Sequence, residues 1–277
     1  MVYLFDGTAI AYRAFFAFIR NPLRNSKGIN TSGVFGTLNS LVKVVQERNP
    51  DRIAFVFDKG GSAYRNEMFA DYKATREKMP DELRETIPDI LEAVEAMGIP
   101  ILMQQGVEAD DILATVAHAA AENGEKVVIV TGDKDLFQLI DDNISILQPG
   151  RGGQSDETLF DPGNATERLG VPPEQVVDFL TLVGDTSDNI PGVAGIGKKT
   201  AQKLLEDYGS LDNIYKNLDK LTKGQQKKLE EGRDSAHLSR ELIKLLHVEE
   251  FANPDWDAMK IGDQDEEKLA DILTRVA

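Results

Sequence analysis

The chain of 277 residues carries 31 Lys+Arg against 47 Asp+Glu, a formal net charge of −16, with 41% hydrophobic and 28% charged residues. This is the balance of a folded globular chain of one large domain or two small ones, not of a disordered one. The absence of cysteine excludes disulfides, thiolate metal sites and cysteine nucleophiles, and three scattered histidines (His118, His237 and His247) argue against a zinc site.

In chain order, Val2-Tyr3-Leu4-Phe5 is a short apolar run ending in Asp6-Gly7, and its pattern predicts a buried strand. A helical pattern follows from Val34 to Arg48. Ile53-Ala54-Phe55-Val56-Phe57, ending in Asp58, predicts a second strand, and a second helical pattern runs from Leu83 to Met97. Ile99 to Met103 predicts a third strand, and Ala109 to Asn123 a helix closed by Gly124. Val127 to Val130, ending in Thr131-Gly132-Asp133, and Ile144 to Leu147 complete the set. Short apolar strands alternating with helices imply an α/β fold: a mainly parallel central sheet with helices on both faces. From about Asp161 the pattern turns helical, punctuated by Pro162 and Pro172-Pro173, so residues 1–170 are expected to form the core and 171–277 a smaller helical region. No apolar run reaches the roughly 20 residues of a membrane span, and no basic leader precedes an apolar stretch. A cytoplasmic address is the default expectation.

The net charge argues at first against a nucleic-acid partner, but it is unevenly placed. Residues 13–76 hold 11 basic and 5 acidic side chains, 100–190 hold 4 and 17, and 191–235 hold 9 and 7. Within the acidic block and at the strand ends stand nine carboxylates with a route to one cleft: Asp6, Asp58, Glu108, Asp110, Asp111, Asp133, Asp135, Asp185 and Asp188. The carboxyl edge of a parallel sheet is where ligands bind. Each acid alone could be a turn or helix-cap residue. Turns do not account for so many at the same end of successive strands with hardly a neighbouring cation, because like charges so placed repel and raise one another's pKa. Dications remove that repulsion, and oxygen-only ligands point to Mg²⁺ or Mn²⁺. Two ions about 3.5–4 Å apart could clamp the attacking and leaving oxygens of a phosphoryl displacement. That chemistry is phosphodiester hydrolysis by water, with no protein nucleophile.

Two further stretches fit a nucleic acid. On a helix, Arg65, Tyr72 and Arg76 fall within about 40° of one another with Lys73 nearby, a face of cations around an aromatic ring that suits a single strand. Lys73 and Arg76 could contact a scissile phosphate; a solvated helix with a packed tyrosine is the plain alternative. Tyr12 is expected near the cleft, and Phe15, Phe16 and Phe18 in the core. Gly195-Ile196-Gly197-Lys198-Lys199 at a helix start lets bare N–H groups approach a phosphate. It lacks Walker A spacing, and a Gly-hydrophobic-Gly turn between helices fits a duplex backbone.

Taken together, Asp6, Phe55-Val56-Phe57-Asp58, Tyr72-Lys73-Ala74-Thr75-Arg76, Glu108-Ala109-Asp110-Asp111, Thr131-Gly132-Asp133-Lys134-Asp135, Gly184 to Gly192 and Gly195-Ile196-Gly197-Lys198 resemble the 5′-nuclease (flap endonuclease) superfamily, in order and over nearly the whole chain. The resemblance is strongest to the 5′→3′ exonuclease domains of bacterial polymerases. It implies a first metal site at Asp6, Asp58, Glu108 and Asp110, and a second at Asp133, Asp135, Asp185 and Asp188, with Asp111 close to both. It implies that Tyr72, Lys73 and Arg76 ride on an arch at about 60–90, that Tyr12 supports the flipped terminal nucleotide, and that a helix–hairpin–helix-type motif at 192–199 grips duplex, in relatives with help from K⁺. The implied partners are DNA with 5′ flaps, nicks or RNA primers, cut by a monomer to 5′-phosphate and 3′-hydroxyl ends. Continuity with a polymerase region and a free-standing nuclease both remain open. The rival readings are a catalytically silent scaffold for branched DNA, and a small-molecule phosphatase that has no use for the hairpin.

Overall fold

The computed structural model describes residues 1–150 and 157–277. Each expected run forms a strand: β1 (Val2–Asp6), β2 (Arg52–Val56), β3 (Ile101–Leu102), β4 (Val127–Val130) and β5 (Ile144–Gln148). They lie in the order β3-β2-β1-β4-β5, every pairing parallel. An edge strand, β6 (Thr158–Phe160), pairs antiparallel with β5; three residues are too few for a periodic signal. The third strand is shorter than its apolar run: Ile99 is buried and its N–H donates to Val94 O of the preceding helix, at 3.2 Å, not to the ladder.

The helices of the first half are α1 (Gly7–Ala17), α2 (Ser32–Arg48), α3 (Ala63–Met68), α4 (Asp81–Arg84), α5 (Ile87–Ala96), α6 (Ala109–Glu122) and α7 (Thr166–Leu169). Strand alternation decides what they cover. Val2, Leu4, Ala54, Val56, Val127 and Ile129 pack with Ile112, Leu113 and Val116 of α6. Tyr3, Phe5, Ile53, Phe55, Val128 and Val130 pack with α1, α2 and α5 on the other face. Fully buried Phe5 and Phe55 each contribute roughly 1.5–3 kcal/mol by leaving water.

Two helical expectations are corrected. The pattern from Leu83 to Met97 is two helices, α4 and α5, because Pro88 in the first turn of α5 has no N–H to continue a helix from α4. The segment from Arg65 to Arg76 is not one helix: α3 ends at Met68, Phe69 is extended, and Lys73 is left-handed at φ 55°. Tertiary contacts override local propensity there, since Tyr72 is buried in the core and the Lys73 N–H donates to Asp188 O at 2.9 Å. Arg65, Tyr72 and Arg76 therefore do not share a helical face.

The second half is helical: α8 (Val176–Val183), α9 (Lys198–Tyr208), α10 (Leu211–Lys216), α11 (Lys223–Glu231), α12 (Arg233–Ile243) and α13 (Glu266–Val276). Leu180, Leu204, Leu229 and Leu242 join the same apolar cluster as α6, so the core is continuous, and Ile272 of α13 packs on Ala93 and Ala96 of α5. Among the described residues no helix is long and apolar enough to cross a membrane.

Candidate metal centre and nucleic-acid interface

With β1 between β2 and β4, paired Phe5↔Phe55 and Phe5↔Val130, the chain leaves three neighbouring strands at Asp6, Asp58 and Asp133. Glu108 stands at the N-cap position of α6 without a side-chain capping bond, and Asp110 is in the first turn. These five acids line one cleft of about 530 Å³ with Lys73, Arg76, Arg13 and Tyr12. Local bonds fix several of them. Asp6 caps α1, its Oδ1 accepting from Ala9 N at 3.0 Å, while Oδ2 accepts from Thr131 Oγ1 at 2.7 Å. Asp58 Oδ1 accepts from Ala109 N at 2.8 Å, and its own N–H donates to Thr8 Oγ1 at 2.9 Å. Among the described residues the Asp110 carboxylate has neither a hydrogen bond nor an ion pair, and Asp6, Asp58 and Asp133 have no ion pair. The capping role and the clustering thus coexist in the same side chains.

The electrostatics reflect the crowding. Burial pushes the Asp6 carboxyl up to about 7, with Asp133 and Asp58 adding to the rise. Burial also lifts Asp110 well above the usual carboxylate range, reinforced by Asp133 and Asp6, and takes Asp135 to about 6, with Asp133 adding. Glu108, Asp135, Asp185 and Asp188 are held by three cations. Lys73 Nζ pairs with Glu108 and lies 3.6 Å from Asp188, and Arg76 Nη2 is 2.7 Å from Asp188 Oδ1. Lys134 Nζ bridges Asp185 and Asp135, the latter at 3.1 Å. Among the described residues no three acidic or histidine side chains are gathered closely enough to hold an ion as they stand. The donor set nevertheless fits hard dications: it is oxygen-only, at most partly exposed, and holds four acids that have no ion pair among the described residues.

The raised acids make a prediction with a definite sign. Above about pH 4 the unfolded chain has released protons that folded Asp6, Asp110 and Asp135 still hold. Stability in EDTA should therefore fall as pH rises from about 4 towards 7. Thermal melts should show a higher Tm at pH 5 than at pH 7.5, and a lower Tm at pH 5 would contradict the clustering.

Four assignments change. Arg65 does not face DNA: it is 2% exposed and bonds Asp111, Glu108 and two main-chain carbonyls. Asp111, 1% exposed, is spent on Arg65 and on Leu246 N, at 2.8 Å, and does not face the cleft. Tyr72 is buried with its hydroxyl 3.1 Å from Glu108 Oε2, so it offers no stacking face. Phe16, expected in the core, is 47% exposed at the cleft and stacks on Tyr12. The hairpin is as open as expected: Gly195, Gly197, Lys198 and Lys199 are exposed, with Gly197 at the start of α9. Sequence reasoning missed Thr131, which links Asp6 to the Asp133 N–H, and Lys134, although Lys134 stands between two of the acids in sequence. It also missed Asn189, whose Nδ2 donates to Asp71 O at 2.8 Å and ties the loop at 185–190 to the segment after α3.

Profiles described as the N-terminal resolvase-like domain and the C-terminal SAM fold of the 5′-3′ exonuclease match residues 1–170 and 171–267. The chain belongs to the 5′-3′ exonuclease family. It is 40% identical over 274 residues to a DNA polymerase I of Caldicellulosiruptor bescii, covering 99% of this chain and 32% of that protein. A protein of Aquifex aeolicus named 5′-3′ exonuclease is 38% identical, over 88% of this chain and 81% of its own length. The chain thus spans about a third of the polymerase relatives and most of the Aquifex one. Among solved structures, the T5 5′-exonuclease with bound zinc ions superposes with TM-score 0.69 at 24% identity, covering 99% of this chain and 98% of that one. The catalytic core of Rad2 in complex with DNA substrate gives 0.65 at 18%, covering 99% and 87%. Both likenesses are of fold: this sheet and these helices are those of the 5′-3′ exonuclease family.

Proposed function

We propose that the chain is a divalent-metal-dependent, structure-specific 5′ nuclease, a 5′→3′ exonuclease and flap endonuclease. It cuts DNA with 5′ flaps, nicks or RNA primers to 5′-phosphate and 3′-hydroxyl ends, as a monomer and, in longer relatives, in continuity with a polymerase. The observation that carries this reading is the group of unneutralised acids at neighbouring strand ends in a cleft that also holds Lys73 and Arg76. Asp6, Asp58, Glu108 and Asp110 would hold one Mg²⁺ or Mn²⁺, and Asp133, Asp135, Asp185 and Asp188 a second. When bound, such a pair lowers the pKa of water and stabilises the leaving 3′-oxygen.

The chain's own groups do the rest. Lys73 and Arg76 exchange their carboxylate partners for the scissile phosphate and donate to its oxygens as charge develops. Tyr12, with Phe16 behind it, receives the terminal base. The N–H groups of Gly195 and Gly197 and the ammonium groups of Lys198 and Lys199 meet the duplex backbone without reading sequence.

Product mapping on a 5′-labelled flap with Mg²⁺ and with EDTA tests the reading. Mg²⁺-dependent cuts at the flap junction are expected; binding without cutting in both conditions identifies the silent scaffold instead. Gly197→Ala probes the hairpin cleanly, since a Cβ there meets no atom within 4 Å and the backbone is not left-handed. Its Tm should stay within a degree or two of the parent, roughly 0.5 kcal/mol, while duplex affinity falls several-fold. Unchanged affinity would remove the hairpin from the DNA interface.

A further inference from the structure

Among the described residues Arg65 is the largest fully buried side chain, and no step above uses it. Its guanidinium forms a two-bond fork with Asp111, Nη1 to Oδ2 at 2.7 Å and Nη2 to Oδ1 at 2.8 Å. A fork of this kind neutralises both partners and fixes their geometry. The other Nη1 proton goes to Glu108 Oε2 at 2.9 Å. Nε and the remaining Nη2 proton go to Leu242 O at 2.9 Å and Lys244 O at 2.8 Å, at the C-terminal end of α12. Asp111 Oδ1 also accepts from Leu246 N. All five guanidinium protons are therefore used, and the cluster joins α3, α6 and the end of α12.

The two oxygens of Glu108 have different principal partners. Oε2 accepts from Arg65 and, at 3.1 Å, from the Tyr72 hydroxyl, both from within the core; the same hydroxyl is farther from Oε1, at 3.5 Å. Oε1 points to the cleft and carries Lys73 Nζ. Because Asp111 already balances Arg65, the charge of Glu108 stays available to a cation in the cleft.

We propose that Arg65 and Tyr72 are positioning residues that hold Oε2 of Glu108 from behind, so that Glu108 offers a dication Oε1 alone, from a fixed direction. Lys73 must leave Oε1 before a metal ion takes it. Docking of α12 helps to set this carboxylate, because two of Arg65's protons end on α12. The inference rests on the reading of Glu108 as a metal ligand.

Tyr72→Phe and Arg65→Lys test it in the DNA-free protein, with Mn²⁺ alone as probe and calorimetry as readout. Outer partners of a metal-ligating side chain typically change affinity about 10–100-fold when lost, so Arg65→Lys should weaken Mn²⁺ binding by about tenfold and Tyr72→Phe by about threefold. Lysine keeps the charge but cannot fork, so it is not expected to rescue. With flap DNA, Tyr72→Phe should lower kcat and leave KM for DNA near the parent value. If Arg65→Lys does not fold, Tyr72→Phe carries the test, since it keeps the ring and its packing. Parent-like Mn²⁺ affinity in Tyr72→Phe overturns the proposal, as does a loss of duplex affinity with metal affinity intact. A parent protein that cuts flaps while the variants bind Mn²⁺ normally refutes the brace and leaves the nuclease standing; a parent that binds no Mn²⁺ refutes both.

Discussion

Asp110→Asn is expected to lower flap cleavage by about three orders of magnitude, equivalent to about 4 kcal/mol of transition-state stabilisation, and to raise the Tm of the protein in EDTA. The two effects share one cause. Asparagine keeps the size of the side chain and breaks no bond, because among the described residues the Asp110 carboxylate has none to break. It removes a carboxyl whose ionisation is opposed first by burial and then by Asp133, Asp6 and Asp58. Without metal that repulsion is a cost of folding, so its loss stabilises. With metal the same charge is a ligand, so its loss removes affinity and several kcal/mol of catalysis. Parent protein should gain several degrees of Tm from Mg²⁺ and the variant much less. A variant that is less stable in EDTA would mean that Asp110 is a structural acid.

Lys73→Ala should lower kcat by about 10²–10³, the usual loss when one preorganised donor to a developing charge is removed, with duplex affinity changed by less than about threefold. Its effect in the absence of DNA should be opposite to that of Asp110→Asn. Lys73 now balances Glu108 and approaches Asp188, so removing it leaves the acids less compensated and the protein in EDTA less stable. Mg²⁺ should bind the variant at least as tightly as the parent, having no ammonium to displace from Glu108. Single-turnover cleavage and Mg²⁺ calorimetry separate these effects. Parent-like single-turnover rates would remove Lys73 from the chemistry.

The sheet was readable because β1, β2 and β4 carry continuous apolar runs, and a parallel strand buried on both faces admits little else. The acids were readable for the same reason: once the runs are strands, Asp6, Asp58 and Asp133 must sit at one edge. The arch was not. A helical projection of Arg65, Tyr72 and Arg76 assumes that local periodicity governs, whereas the burial of Tyr72 and a left-handed Lys73 are set by Glu108 and Asp188, distant in sequence. The same limit hid the fate of Arg65 and Asp111. Adjacent acids at a helix start look alike in sequence, but the helix turns Asp110 to the cleft and Asp111 inward to Arg65. The cations on the acids were visible in part, since Lys134 is flanked by Asp133 and Asp135, but which acid each would choose depends on the fold.

The surplus of acid is held here to exist for dications that cut a polynucleotide. Anomalous diffraction from a crystal soaked in Mn²⁺ tests this most directly. The account predicts one peak among Asp6, Asp58, Glu108 and Asp110 and a second among Asp133, Asp135, Asp185 and Asp188, with Lys73 withdrawn from Glu108 and Arg65 still on its other oxygen. No peak in the cleft, with Lys73 left on Glu108 at saturating Mn²⁺, would contradict it.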